Sequence, residues 1–145
     1  MKRILWIEDE ADTALASYKI PLVRAGYTVD IAGDASEAIE LLREKQYDVF
    51  VFDIIIPAGP RFGASDKNFV GFDLLEALVK GQIEGVRRID PNTVIVFTVV
   101  NDPELHSRIS ELGVNRLFVK SLSGSSVLKS AVDDILGIAS EDVGE

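Results

Sequence analysis

A chain of 145 residues with 47% hydrophobic and 27% charged side chains has the size and composition of one soluble globular domain with a substantial core. Its formal charge of −9 argues against a nucleic-acid surface, because phosphate binding needs clustered Lys and Arg. The absence of cysteine and the single histidine exclude disulfides, thiolate metal sites, thiol catalysis and histidine-rich metal clusters.

The basic start at Lys2 and Arg3 runs into Glu8, Asp9 and Glu10 too early for a signal peptide. No apolar run reaches membrane-spanning length, so neither membrane insertion nor a membrane span is expected, and a cytoplasmic location is. Residues 2–7 read as a first buried strand that stops at the acidic triplet. Residues 11–25 carry Leu15, Tyr18, Leu22 and Val23 near helical spacing, with Pro21 inside the pattern and Gly26 as its C-terminal cap. Residues 27–32 form a second strand. Asp34 and Glu37 then stand three apart, a capping box for a helix burying Ala38, Ile39 and Leu42.

Residues 48–52 read as the third strand, its uncharged apolar run from Val49 to Phe52 bounded by Asp48 and Asp53, the pattern of a strand covered on both faces. Residues 58–70, rich in Gly, Pro, Ser, Asp and Asn, make a connection longer than the usual βα loop, either functional or mobile. Its charges Arg61 and Lys67 read as solvated or as partner contacts. A helix with Leu74, Leu75, Leu78 and Val79 begins near residues 71–73, and Gly81 and Gly85 weaken its far end. Asp90, Pro91 and Asn92 turn the chain into a fourth strand over 93–98. Asp102 and Pro103 start a helix that ends at Gly113. Residues 116–119 make a short fifth strand closed by Lys120 and Ser121. A last helix carries Val127, Leu128, Ala131, Val132, Ile135 and Leu136. Residues 1–139 are therefore taken as one domain and 140–145 as a frayed acidic tail.

Five strands alternating with five helices imply an α/β fold with a doubly wound parallel sheet. A flavodoxin-like order 2-1-3-4-5 sets the ends of strands one and three side by side. Glu8, Asp9 and Asp53 are then expected to converge. Three close carboxylates repel unless a cation neutralises them, and Mg²⁺ is the hard, oxygen-seeking ion that suits. Thr98 ends strand four with a hydroxyl, and Lys120 ends strand five with an ammonium. Acids, metal, hydroxyl and ammonium around Asp53 describe phosphoryl transfer to a carboxylate. Trp6 reads as core, and His106 as a surface or partly packed helix residue.

These residues, in this order on the strand ends, resemble the receiver domain of two-component response regulators. Glu8-Asp9 follows strand one, Asp53-Ile54-Ile55-Ile56-Pro57 follows strand three, and Lys120 follows Thr98 at the family's usual separation with Gly113 between. The resemblance covers nearly the whole chain. It implies Asp53 as phosphoacceptor and Mg²⁺ held by Asp9, Asp53 and the Ile55 backbone carbonyl, with Glu8 acting through water. It further implies Lys120 as the counter-ion and Thr98 as the switch hydroxyl. The phosphodonor would be a histidine kinase or histidine phosphotransfer protein. Output would pass to a downstream protein target, with no output domain after the short tail. The chain would be a signalling module, not a conventional enzyme.

The chain also departs from the family pattern. Leu117 stands where an aromatic residue is usual, and strand alternation sends Phe118 to the opposite face. Val99 replaces a small residue after Thr98, and Ser121 replaces the usual cis proline after Lys120. Together they favour an alternative, a divergent receiver that binds a protein constitutively. An aspartate-nucleophile phosphatase is disfavoured because Ala11 stands two residues after Asp9, where that chemistry needs a second aspartate.

Overall fold

The computed structural model describes residues 2–60, 62–63 and 69–138. Arg61, Lys67 and the acidic tail from Ser140, together with the boundary set at 139, lie outside the described residues.

Five parallel strands, β1 (Arg3–Ile7), β2 (Thr28–Ala32), β3 (Val49–Phe52), β4 (Val94–Thr98) and β5 (Arg116–Val119), form one sheet in the order β2-β1-β3-β4-β5. The helices α1 (Ala16–Arg24), α2 (Ala35–Glu44), α3 (Val70–Val79), α4 (Pro103–Glu111) and α5 (Val127–Leu136) connect and cover them. The flavodoxin-like α/β architecture expected from the strand-helix alternation is the one observed.

Alternation along the strands divides the core in two. Ile7, Phe50, Phe52 and Val96 face α2, α3 and α4, in a cluster with Ile39, Leu74, Leu75, Leu78, Leu105 and Ile109. Ile4, Trp6, Val49, Val51, Ile95 and Phe97 face α1 and α5, in a cluster with Leu22, Leu128 and Val132. Trp6 is fully buried, as its place on a central strand predicts. Phe118 packs in the second cluster and Leu117 in the first, so the aromatic residue of β5 does turn away from α4.

Local signals explain most helix ends. Asp34 Oδ1 accepts from the Glu37 N–H at 2.7 Å, while Glu37 Oε1 reaches back to the Gly33 N–H at 2.8 Å, a capping box shifted outward by one residue. Asp102 accepts from the Glu104 N–H, with Pro103 at the first helical position. Gly137, at φ +71°, closes α5 in the left-handed region. The exception is α1, which begins five residues later than the spacing predicts. The N–H groups of Thr13 and Leu15 both donate to the Glu10 carbonyl, at 3.2 and 3.0 Å, so residues 11–15 stay in turns. Pro21 lies within α1, and the Gly26 N–H bonds Val23 O in a tightened last turn.

Candidate functional site

Parallel strands put their carboxyl ends on one edge, where open α/β sheets place their ligand crevices. Asp53 is the first residue beyond β3, with β1 and β4 on either side of that strand. Burial leaves it only 4% exposed, beside Glu8 at 1% and Thr98 at 0%. Lys120 comes in from the end of β5, and its Nζ donates to Glu8 Oε1 at 2.7 Å and to Asp53 Oδ2 at 2.9 Å. The ammonium lies 5.8 Å from the centre of the Phe97 ring, which Tyr18 meets edge-on at 4.8 Å. The ammonium thus lies near the face of an aromatic ring while it reaches the acids.

The electrostatics follow from that burial. Removal from water pushes the Glu8 carboxyl up from 4.5 to about 7; the Lys120 hydrogen bond pulls it down, and the Asp53 charge raises it again. Because the folded state raises this group, its contribution to stability is complete below pH 4.5 and is lost as pH climbs through about 7. Burial alone would lower the Lys120 ammonium, but its bonds to Glu8 and Asp53 outweigh that and hold it above its ordinary value.

The remaining polar contacts tie the loops down. Asp53 Oδ1 accepts the Ile55 N–H at 3.2 Å, and Thr98 Oγ1 accepts the Val100 N–H at 3.3 Å. His106 is half-buried, with Nε2 3.2 Å from the Val100 carbonyl; it steadies the same loop and has no place in the acid cluster. The Lys120–Ser121 peptide is trans, as is every peptide bond among the described residues.

The structure therefore joins Glu8, Asp53 and Lys120 directly, with Thr98 buried on the neighbouring strand end. Asp9 stands exposed on the turn after β1, outside the pair. Among the described residues no three acidic or histidine side chains are gathered as a metal-holding group. The donor chemistry still suits Mg²⁺: two buried carboxylates share one ammonium, which leaves excess negative charge on hard oxygen ligands.

One residue that side-chain chemistry does not reveal is Gly71, in the first turn of α3. Its N–H donates to Ile54 O at 2.8 Å, and a Cβ there would lie 1.9 Å from the Asp53 carbonyl oxygen. Only glycine lets the helix start this close to the Asp53 backbone. The available signal was a glycine at the start of an otherwise apolar helix.

No protein-family model matches the chain. Among curated proteins it is 29% identical over 106 residues to protein Rrf1 of Nitratidesulfovibrio vulgaris, covering 71% of this chain and 75% of that one. It is 28% identical over 102 residues to the transcriptional regulatory protein AfsQ1 of Streptomyces coelicolor, covering 70% of this chain but 37% of the relative. Among solved structures, the non-phosphorylated HemR receiver domain of Leptospira biflexa superposes with a TM-score of 0.70 at 24% identity, over 99% of this chain and 100% of that one. Other solved structures that match over nine-tenths of the chain are also response-regulator receivers. The chain therefore has the fold of response-regulator receiver domains.

Proposed function

We propose that Asp53 accepts a phosphoryl group from a phosphohistidine on a histidine kinase or histidine phosphotransfer protein, and that the phosphorylated chain signals through protein contacts. The observation that carries this is the buried Asp53 carboxylate with Lys120 Nζ 2.9 Å away, at the carboxyl end of a parallel sheet and beside a buried threonine hydroxyl. In the transfer, the P–N bond of the donor imidazole breaks as a P–O bond to Asp53 forms. The imidazole leaves with the electron pair and takes up a proton.

Lys120, already bonded to Asp53, follows the negative charge outward onto the phosphoryl oxygens. Thr98 turns its hydroxyl from the Val100 N–H to a phosphoryl oxygen. Asp9, Asp53 and the Ile55 carbonyl would hold Mg²⁺, with Glu8 acting through water, and the ion when bound would neutralise the crowded acids and the phosphoryl oxygens. Such a module is a signalling component, not a conventional enzyme. Among the described residues no helix is long and apolar enough to cross a membrane; we place the chain in the cytoplasm, where its donors present phosphohistidine.

The test is incubation with Mg²⁺ and either a small phosphodonor or a phosphorylated histidine kinase, read by intact mass. One added phosphoryl group is expected, absent from Asp53→Asn. No gain from either donor, or an equal gain in the variant, rejects Asp53 as acceptor. One feature favours a second reading, constitutive binding to a protein partner: Val99, next to Thr98, is a large apolar side chain 59% exposed. Under that reading partner affinity is the same for Asp53→Asn and the native chain.

A further inference from the structure

The segment that leaves Asp53 is held at both ends by helix amino termini. On one side Ile54 O accepts the Gly71 N–H of α3 at 2.8 Å. On the other, Pro57 O accepts the Ala35 N–H at 3.0 Å and Ala58 O accepts the Ser36 N–H at 3.1 Å, both from the first turn of α2. The Ser36 hydroxyl donates a second bond to Ala58 O at 3.0 Å, the third that ties the segment to α2. A helix leaves its first four N–H groups without intrahelical partners. In α2 the capping box satisfies Glu37, and residues 57–58 satisfy Ala35 and Ser36.

Gly59, at φ +79°, keeps this strap flat on the cap. A Cβ there would lie 2.7 Å from both Asp34 Oδ1 and Ser36 Oγ. Between the two anchors lie only Ile55, whose N–H is bonded to Asp53 Oδ1, and Ile56, which is buried in the same apolar cluster as Ala35 and Ala38.

We infer that the state of Asp53 is read out at the amino end of α2, through the strap 57–59. The inference rests on Asp53 being the phosphoacceptor. Phosphorylation turns the Asp53 carboxylate into an acyl phosphate, so the charge that holds the Ile55 N–H moves outward and that bond weakens. The Ile55 peptide rotates, and one of the two anchors must take up the movement. The α3 anchor is backbone packed against backbone, with no room for even a methyl group at Gly71. The α2 anchor is a set of loop-to-helix bonds whose donors Ala35 and Ser36 are buried but whose acceptors lie on an outer loop, with Pro57 exposed and Ala58 and Gly59 half-buried, and it yields first. A phosphoryl group shifts an equilibrium only by its differential interaction with two states. Here the two states are the strap bonded to α2 and the strap released. On the β5 side the polar connection stops at Lys120, because Leu117 has no hydroxyl to carry it into the strand.

The test is amide exchange on the full chain, with Mg²⁺ and with or without beryllofluoride as phosphoryl mimic, while fluorine-19 NMR reports whether the mimic is bound. With the mimic bound, exchange at Ala35 and Ser36 is expected to rise about tenfold, and exchange over residues 116–119 to change less. By reciprocity, Gly59→Ala, which lifts the strap, should tighten beryllofluoride binding about threefold. A bound mimic with unchanged exchange at Ala35 and Ser36, or a larger change in β5, overturns the strap alone. Unaltered beryllofluoride affinity in Gly59→Ala does so too. Absence of the bound fluorine signal removes the phosphoacceptor assignment and the strap with it.

Discussion

The end of β3 and the end of β5 meet at one lysine–carboxylate bond but are built differently. Every residue of β3 is buried, Asp53 beyond it is 4% exposed, and a helix start is packed onto its backbone. Every residue of β5 is half-buried on an edge strand, and Leu122 just beyond it is 78% exposed. One end is fixed by close packing, where interiors tolerate little change in volume. The other is fixed by a few directed bonds: Lys120 to Glu8 and Asp53, and the Tyr18 hydroxyl to Ser123 O at 2.9 Å. A reacting carboxylate is best held still, and the element that must follow its charge is best held by bonds that can be exchanged.

The sharpest way to break that comparison is to remove the shared bond. Lys120→Ala leaves Glu8 and Asp53 buried without their cation, and breaking a buried pair in this way costs about 3 kcal/mol. Urea unfolding should show that loss. Amide exchange should rise first at residues 120–123 and least at 50–53. Equal exchange at both ends would mean that β5 is not held through Lys120.

Next in size is Gly71→Ala. Alanine is the better helix former by about 1 kcal/mol, but its methyl group would meet the Asp53 carbonyl. Backbone does not yield as a flexible side chain does, so a net loss of about 2 kcal/mol is expected, the scale of overpacking a core. Phosphoryl incorporation at Asp53 should fall as well. A variant as stable and as phosphorylatable as the native chain would show that the end of β3 has slack.

The contrast between these two ends also marks what the sequence could and could not tell. Asp53, Thr98 and Lys120 were legible because each stops an apolar strand, and parallel strands put all such stops on one edge. The outward turn of Phe118 was legible because strand alternation admits no exception without a bulge. The exposure of Asp9 was not, since it lies two residues past Ile7, the last paired residue of β1, where period two no longer says which way a side chain faces. The late start of α1 was hidden in backbone bonds to Glu10 O, and backbone groups look alike in every residue. For the same reason the strap on α2 left no mark beyond a glycine and a serine in the right places, and the approach of Gly71 to Asp53 none beyond a glycine at a helix start.

The smallest expected effect is the most telling. A groove of about 490 Å³ runs between α4 and β5, lined in part by His106, Ile109, Val114, Leu117 and Leu122. Leu117→Tyr puts a phenol ring where the groove already offers space, and at a half-buried edge position the stability change should stay within about 1 kcal/mol. Thermal unfolding measures that directly, and the new tyrosine ring resonances report whether the ring is packed or free. A loss as large as that of Gly71→Ala would mean that the groove is closed in solution and that both strand ends are equally tight. If instead one end refuses a methyl group while the other accepts a whole ring, the difference lies in packing. The β5 end is then held mainly by Lys120 and Tyr18, and such bonds, like those of the strap 57–59 to α2, can be exchanged when the charge on Asp53 changes.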